Sequence, residues 1–473
     1  MTDVTPALID GEDTITDDSR EVRSPYDNQV VGSVPVCGAA EIDRAVAVAR
    51  VRHRSGALPA FERAEVLDRV AVLLAERKED FARSIASESA KPLKTARAET
   101  ERALDTLRFS AAAARTTAAE TIPFDASSAG AGKVGYVMRV PIGVIAAISP
   151  FNFPLNLVCH KIAPAVAAGC PVVLKPASAT PLTALALVRL FHEAGLPPGW
   201  LNVVTCSGAA ANHLVEHPDV AMISFTGSPT VGWGIRAAVP HKRVGLELGN
   251  NAPVLIEPSA DVERAAARIA VGGYSFAGQS CISVQRIYVA RAVKSRFVEA
   301  LLAEVSALKV GDPMDPDTDV SSLITPKESD RVESWIGDAV RQGGEVLQGA
   351  TRDDRGILVP TVVDRLAPDM EISRNEVFGP LVGVAAYDDL DQAIELANDT
   401  RYGLQAGIFT SDVGVALDAV RRLDFGGVLV NEVPTFRADQ MPYGGVRDSG
   451  NTREGPAYAV EEMTERRLVV LQG

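Results

Sequence analysis

Cys281 lies in a turn of small residues, Gly278-Gln-Ser-Cys281-Ile-Ser, between a helical stretch and an apolar run at Ile287–Val289. Attack on a carbonyl needs a thiolate in an accessible turn. A free thiol with a pKa of about 8.5 is only a few per cent ionised at neutral pH, so a reactive cysteine must be activated by its surroundings. Cysteine is also a common inert filler, and position alone leaves both readings open. Upstream, Glu247 ends the apolar run Val-Gly-Leu-Glu-Leu-Gly. Open α/β sheets meet their ligands at such strand ends, where a carboxylate can act as a base or simply pair with a cation. The segment Phe225-Thr-Gly227-Ser228-Pro-Thr-Val-Gly follows another apolar run and opens a helix, with Ser228 suited to cap it and Pro229 to its first position. Such an end presents free N–H groups to a pyrophosphate. It is not the strict GxGxxG fingerprint, and ordinary strand–helix turns share its features.

Two further motifs are decoys. His213-Leu-Val-Glu216-His217 has the HxxEH spacing of a zinc protease, but Pro218 follows at once and no third ligand is evident, so no metal is expected. Gly-Gly-Val-Arg447-Asp-Ser-Gly450 lacks the Lys-Ser/Thr of a phosphate loop and reads as a turn.

The elements that must position these residues are those of a large folded chain. The 473 residues carry 47 Lys+Arg against 61 Asp+Glu, a net charge of −14, which is the wrong sign for a nucleic-acid partner. No apolar run is long enough for a membrane span, and the first residues lack the basic and apolar regions of a signal peptide, so a cytoplasmic protein is expected. Five cysteines without CxxC spacing argue against a disulfide framework.

The first sixty residues read as short strands and turns. Apolar periodicity predicts one amphipathic helix over 61–89 and another over 95–119, the latter with Arg97, Arg102, Arg108 and Arg115 on a solvated face. An orphan strand at Lys133–Val140 needs a partner, and Leu468–Leu471 offers one. Apolar runs at Val144–Ile148, Val172–Leu174, Leu201–Val204, Ala221–Phe225 and Val244–Leu248 alternate with helical stretches, which implies a doubly wound parallel sheet. A second α/β region follows from Asp261, with a helix near Val293–Leu308 and strands near Ile287–Val289, Leu358–Val359 and Val428–Val430.

Six segments together resemble the NAD(P)-dependent aldehyde dehydrogenase superfamily, in the family's order and across nearly the whole chain: Ser-Pro-Phe-Asn152-Phe-Pro, Leu-Lys175-Pro-Ala-Ser178, Phe-Thr-Gly227-Ser228, Leu-Glu247-Leu248-Gly, Gly-Gln-Ser-Cys281 and Glu376-Val-Phe378-Gly-Pro. The resemblance implies an α/β fold: a Rossmann-type cofactor domain (1–120 and 142–249), a second α/β catalytic domain (250–440) and a small β oligomerisation arm (121–141 and 455–473). It implies that Cys281 attacks the aldehyde carbon, that the Asn152 amide and the Cys281 N–H hold the oxyanion, and that Glu247 activates the water that hydrolyses the thioester. On the cofactor side, Lys175 and Glu376 match ribose-binding positions, Phe378 lies against the nicotinamide, Gly227 and Ser228 approach the pyrophosphate, and Leu248 is a further cofactor-binding position.

Ser178 stands where many NAD-preferring relatives carry an acid, which would repel a 2′-phosphate. NADP is therefore expected to be accepted beside NAD and to be the candidate for preference. Asn156, His160 and the segment Phe436-Arg437-Ala-Asp-Gln-Met-Pro-Tyr-Gly-Gly resemble the branch that handles lactaldehyde, phosphonoacetaldehyde and related semialdehydes. There His160 is expected on the tunnel wall, and Phe436 and Arg437 on the loop that closes it, favouring a small hydroxylated or anionic aldehyde. Ser280 replaces the Arg that phosphonate users often place before the nucleophile. The expected partners are the aldehyde and a second copy of the chain, as a homodimer or homotetramer. A cysteine esterase without redox chemistry, or a non-catalytic scaffold of the same fold, are the alternatives.

Overall fold

The computed structural model describes residues 4–472; Met1–Asp3, on which part of the signal-peptide expectation rests, and Gly473, the last residue assigned to the arm, lie outside them. Two seven-stranded sheets dominate. In the first, Arg243–Glu247, Val220–Thr226, Val144–Ile148, Val172–Lys175 and Leu201–Val203 run parallel in that order. The antiparallel strands Ala7–Ile9 and Glu12–Thr14 extend its edge. The second sheet orders Glu345–Gln348, Thr361–Asp364, Leu381–Tyr387, Arg286–Ala290, Pro253–Ile256, Gln405–Phe409 and Gly427–Val430, all parallel except the first. The central strands of both sheets are buried from end to end and apolar but for Lys175 at the end of one and Arg286 at the start of another, as parallel strands covered by helices must be. Each fully buried Val, Leu or Ile there stabilises the fold by roughly 1.5–3 kcal/mol.

The strand Lys133–Pro141 finds its partner in Thr464–Gln472, antiparallel along its whole length, with Glu120–Ile122 on its other side. This small sheet exposes Val134, Tyr136, Met138 and Leu471 on one face and Leu468 and Val470 on the other.

Four expectations need correction. The segment 61–89 forms two helices, Ala60–Glu76 and Lys78–Ser89, because a continuous helix would carry its buried face through Arg77 and Lys78. The first sixty residues contain the helix Ala39–Arg54, whose Ile42, Ala45, Val46 and Ala49 make a buried stripe. The strand expected at Leu358–Val359 lies beyond Pro360, at Thr361–Asp364; Leu358 makes only an isolated bridge to Arg352. On the long helix Leu93–Thr116, Arg102 departs from the solvated face and grips the buried Asp439 with two hydrogen bonds, at 2.8 and 3.1 Å.

Candidate active site

A cleft of about 550 Å³ runs along the carboxyl ends of the first sheet's strands. Lys175 is the last residue of its strand and Glu247 the last of its own. Gly227 follows the strand Val220–Thr226, and its N–H is held by the Glu247 carbonyl at 3.1 Å. Ser228 caps the helix Pro229–Ala238 by accepting from the Val231 N–H, as its position predicts. Asn152, Lys175, Ser178, Gly227, Ser228, Leu248, Cys281, Glu376 and Phe378 all line this one cleft. Six separated segments therefore converge on it.

Cys281 sits where the cleft meets the second sheet. The chain reaches it through Phe276, Ala277 and Gly278, three successive residues in the left-handed region, with φ of 51°, 53° and 72°. A Cβ on Gly278 would lie 2.1 Å from the Gly379 carbonyl oxygen, so only glycine fits. Strain of this kind persists where the surroundings over-determine it. Of the five cysteines, all free, Cys281 alone is not fully buried. Its sulfur lies 2.9 Å from the Tyr443 hydroxyl. Burial pushes the thiol up to about 12, and the Glu376 and Glu247 carboxylates push it the same way. The Asn152 amide donates one hydrogen to the Gln279 carbonyl at 3.0 Å, leaving the second free.

Glu247 is buried, and neither carboxylate oxygen has a hydrogen-bond partner among the described residues. Burial first, then the nearby Glu454, raises it well above the usual carboxylate range. Glu454 is the opposite case. Burial disfavours its charge, yet Lys161 at 3.4 Å and Arg437 at 3.0 Å hold it below that range. Two acids facing each other are thus pushed apart, one toward the neutral form and one toward the anion.

His160 and Arg437 are brought together at 3.0 Å, but neither lines the cleft. The His160 side chain is fully enclosed, bonded to Asp439 at 2.9 Å, and burial lowers its basicity. Arg437, 5% exposed, spends its charge on Glu454. Phe436 stands apart, 47% exposed. The sequence reading missed Lys161, Glu454, Asp439 and Tyr443. The signal available was spacing: Asn156, His160 and Lys161 share the first turns of the helix Asn156–Ala168 that follows Asn152. It also missed Arg20, from the strand Ser19–Arg23, which donates to the Ser178 carbonyl at 2.9 Å.

The decoys have structural roles. His213 and His217 both approach the single carboxylate of Asp43, and no cluster suited to a metal occurs among the described residues. The turn at Arg447–Gly450 pins the strand bearing Glu247: Leu248 donates to the Ser449 carbonyl at 2.9 Å.

The residues present fit a dinucleotide. Lys175 is a buried ammonium with no ion pair among the described residues, facing the cleft beside Ser178. At the other end Phe378 meets Phe151 edge to face, at 5.9 Å, forming an apolar wall.

The sequence pattern of the Aldehyde dehydrogenase family matches residues 13–469, and the chain belongs to that family. It is 44% identical over 464 residues to 3-sulfolactaldehyde dehydrogenase of Priestia megaterium, covering 98% of this chain and 97% of that protein. It is 36% identical over 458 residues to lactaldehyde dehydrogenase of Methanococcus aeolicus, covering 95% and 97%. The crystal structure of NADP-dependent glyceraldehyde-3-phosphate dehydrogenase from Bacillus halodurans, complexed with NADP, superposes with a TM-score of 0.96 at 35% identity over all of both chains. The protein is thus an NAD(P)-dependent oxidoreductase that oxidises an aldehyde group, with the α/β fold of its family. The esterase and scaffold alternatives gain no support.

Proposed function

We propose that the chain oxidises a short 2-hydroxyaldehyde to the carboxylic acid, with NADP or NAD as acceptor, through a covalent intermediate on Cys281. The observation that carries this reading is that Cys281 and Asn152 line one cleft with Lys175, a buried cation with no ion pair among the described residues, while Glu247, next to the cleft-lining Leu248 and without a hydrogen-bond partner among the described residues, stands close enough behind it to raise the Cys281 thiol.

The Cys281 sulfur adds to the aldehyde carbon, giving a thiohemiacetal whose oxyanion accepts from the second Asn152 amide hydrogen and the Cys281 N–H, which has no acceptor among the described residues. Each such donor contributes about 3 kcal/mol. The nicotinamide, when bound, supplies the hydride acceptor. Phe378 and Leu248 wall that part of the cleft, and Lys175, Glu376, Gly227 and Ser228 hold the rest of the dinucleotide. The thioester left on Cys281 is hydrolysed by a water that Glu247 deprotonates. A carboxyl raised by burial is the stronger base for that task, and its oxygens, which have no other partner among the described residues, keep the capacity to accept the water's hydrogen.

Sulfolactaldehyde, lactaldehyde and glyceraldehyde 3-phosphate, the compounds in the relatives' names, share a hydroxyl beside the aldehyde carbon and differ beyond it. Because Glu454 already takes the Arg437 charge and Asp439 that of Arg102, an anionic tail gains little from either cation, and the hydroxylated half of the expectation is the better supported. His160 orders Asp439 and Arg437 from behind. Phe436, half exposed and outside the lining of the cleft, is given no role in this reading.

NADP is favoured by Ser178 together with Lys175 and Arg20, two cations that form no ion pair among the described residues. The three-part division into a cofactor domain, a catalytic domain and an arm is supported by the two seven-stranded sheets and the three-stranded one. The apolar side chains exposed on both faces of the arm support self-association, and five unpaired cysteines support a reducing, cytoplasmic setting. A panel of 2-hydroxyaldehydes and their deoxy and anionic counterparts, assayed by reduced-cofactor absorbance with each nicotinamide and with Cys281→Ala as the blank, tests the proposal. No turnover on any aldehyde would overturn it.

A further inference from the structure

We infer that Tyr443 is a catalytic residue of this chain: its hydroxyl donates to the Cys281 sulfur and stabilises the thiolate, and Arg437, stacked on the Tyr443 ring, is the positioning residue that strengthens the donation. The inference rests on Cys281 being the nucleophile.

The geometry is specific. The Tyr443 hydroxyl stands 2.9 Å from the sulfur and has no other hydrogen-bond partner among the described residues. The residue is 2% exposed and packs with Ile282, Leu404 and Met441 around Cys281. Its backbone is clamped by reciprocal hydrogen bonds with Glu454, at 3.0 and 2.6 Å, so the ring has little freedom to leave the sulfur. The Arg437 guanidinium carbon lies 3.8 Å from the ring centroid, a close cation–π contact, while its Nη2 group is held at 3.0 Å by both Glu454 and His160. A cation over the face of a phenol draws electron density from it and makes its O–H a better donor.

The electrostatics give this donor its task. Two carboxylates, Glu247 and Glu376, face the thiol and disfavour its ionisation, as burial does. In favour stand the Tyr443 hydroxyl and Arg437. Behind them lie Glu454, Lys161, His160 and Asp439, which pair among themselves and with Arg437. A hydrogen bond to an ionised acceptor is roughly twice as strong as one between neutral groups, so the Tyr443 bond tightens as the thiol ionises. Tyr443 keeps its own proton throughout. The thiol proton leaves to solvent water in the cleft, and the sulfur electron pair forms the bond to the aldehyde carbon.

Tyr443→Phe removes one oxygen and leaves the ring. The test is the rate of iodoacetamide alkylation of Cys281 against pH, followed by peptide mass, alongside kcat/KM for 2-hydroxyaldehydes and their deoxy counterparts. The apparent pKa of Cys281 is expected to rise by about one unit, with alkylation near neutral pH slowed about tenfold. kcat/KM is expected to fall by a similar factor for both aldehyde classes. An alkylation profile that superposes on that of the unaltered chain would overturn the inference. So would a loss confined to 2-hydroxyaldehydes, which would assign the hydroxyl to substrate. Should Tyr443→Phe not fold, Arg437→Lys must move the alkylation pKa in the same direction, and no movement overturns the inference. Alkylation needs no turnover, so an unaltered chain that oxidises no aldehyde would defeat the proposed function while leaving this readout intact.

Discussion

In the sheet that ends at Arg243–Glu247, chemistry is delivered by strand ends: Lys175 and Glu247 each close a strand, and Gly227 follows one directly. In the sheet that holds Arg286–Ala290, Cys281 comes before its strand, at the end of a turn forced through three left-handed residues. The first sheet places groups by the regular geometry of parallel strands, which aim their carboxyl ends at a common cleft. The second places its sulfur by a strained loop that only one glycine permits. The electrostatics differ in the same way. The cofactor end leaves a cation without a carboxylate partner among the described residues, while the thiol end is crowded with carboxylates and cations that pair at the expense of Glu247. One end is prepared for an anion to arrive, the other for protons to move.

The largest effect expected from breaking this contrast is at Glu247. Glu247→Gln should lower kcat by about 10²–10⁴-fold, with the first turnover of cofactor reduction preserved in stopped flow, because the base acts after hydride transfer. The pH dependence has a definite sign. Glu247 is raised, so it is protonated and inactive as a base below its raised pKa. Activity of the unaltered chain should fall as pH drops through a value above the ordinary carboxylate range, and the variant should lose that limb.

Next is the strained turn. Gly278→Ala places a Cβ 2.1 Å from the Gly379 carbonyl oxygen at φ of +72°, and should cost about 3 kcal/mol or more in denaturant unfolding. At the cofactor end, Arg20→Leu should lower the ratio of kcat/KM for NADP over NAD by about tenfold, the worth of one charge-assisted hydrogen bond. An unchanged ratio would mean that Arg20 serves only to hold the Ser178 backbone. The smallest effect is the control in a helix that follows a strand of the regular sheet. Gly234→Ala, with open space around its Cβ in the helix Pro229–Ala238, should stabilise by about 0.5–1 kcal/mol.

This contrast also explains what could be read from the sequence. The run Val144–Ile148 keeps its bounds to the residue, and the strands at Val172, Leu201, Ala221 and Val244 hold within a residue or two, because strands buried on both faces are written as unbroken apolar runs. The pairing of Lys133–Pro141 with the carboxyl-terminal strand was legible from two orphan runs. The helix Ala39–Arg54 was hidden by neighbouring Pro, Gly and Asp, although its own stripe has helical period. At the site, Cys281, Glu247 and Asn152 could be singled out by motif. Tyr443, Asp439 and Glu454 could not, since their importance arises from contacts between segments far apart in the chain: Tyr443 with Cys281, Asp439 with Arg102 and His160, Glu454 with Lys161. Arg437 was legible as a cation, but Glu454, which takes its charge, was not.

The central claim is that oxidation passes through an acyl group on one sulfur. It is tested most directly by mixing Glu247→Gln with a 2-hydroxyaldehyde and NADP, quenching in acid, and weighing the peptide that contains Cys281. The account predicts close to one acyl group per chain on that peptide, present only when aldehyde and cofactor are both supplied. Reduced cofactor accumulating with Cys281 unmodified would contradict it.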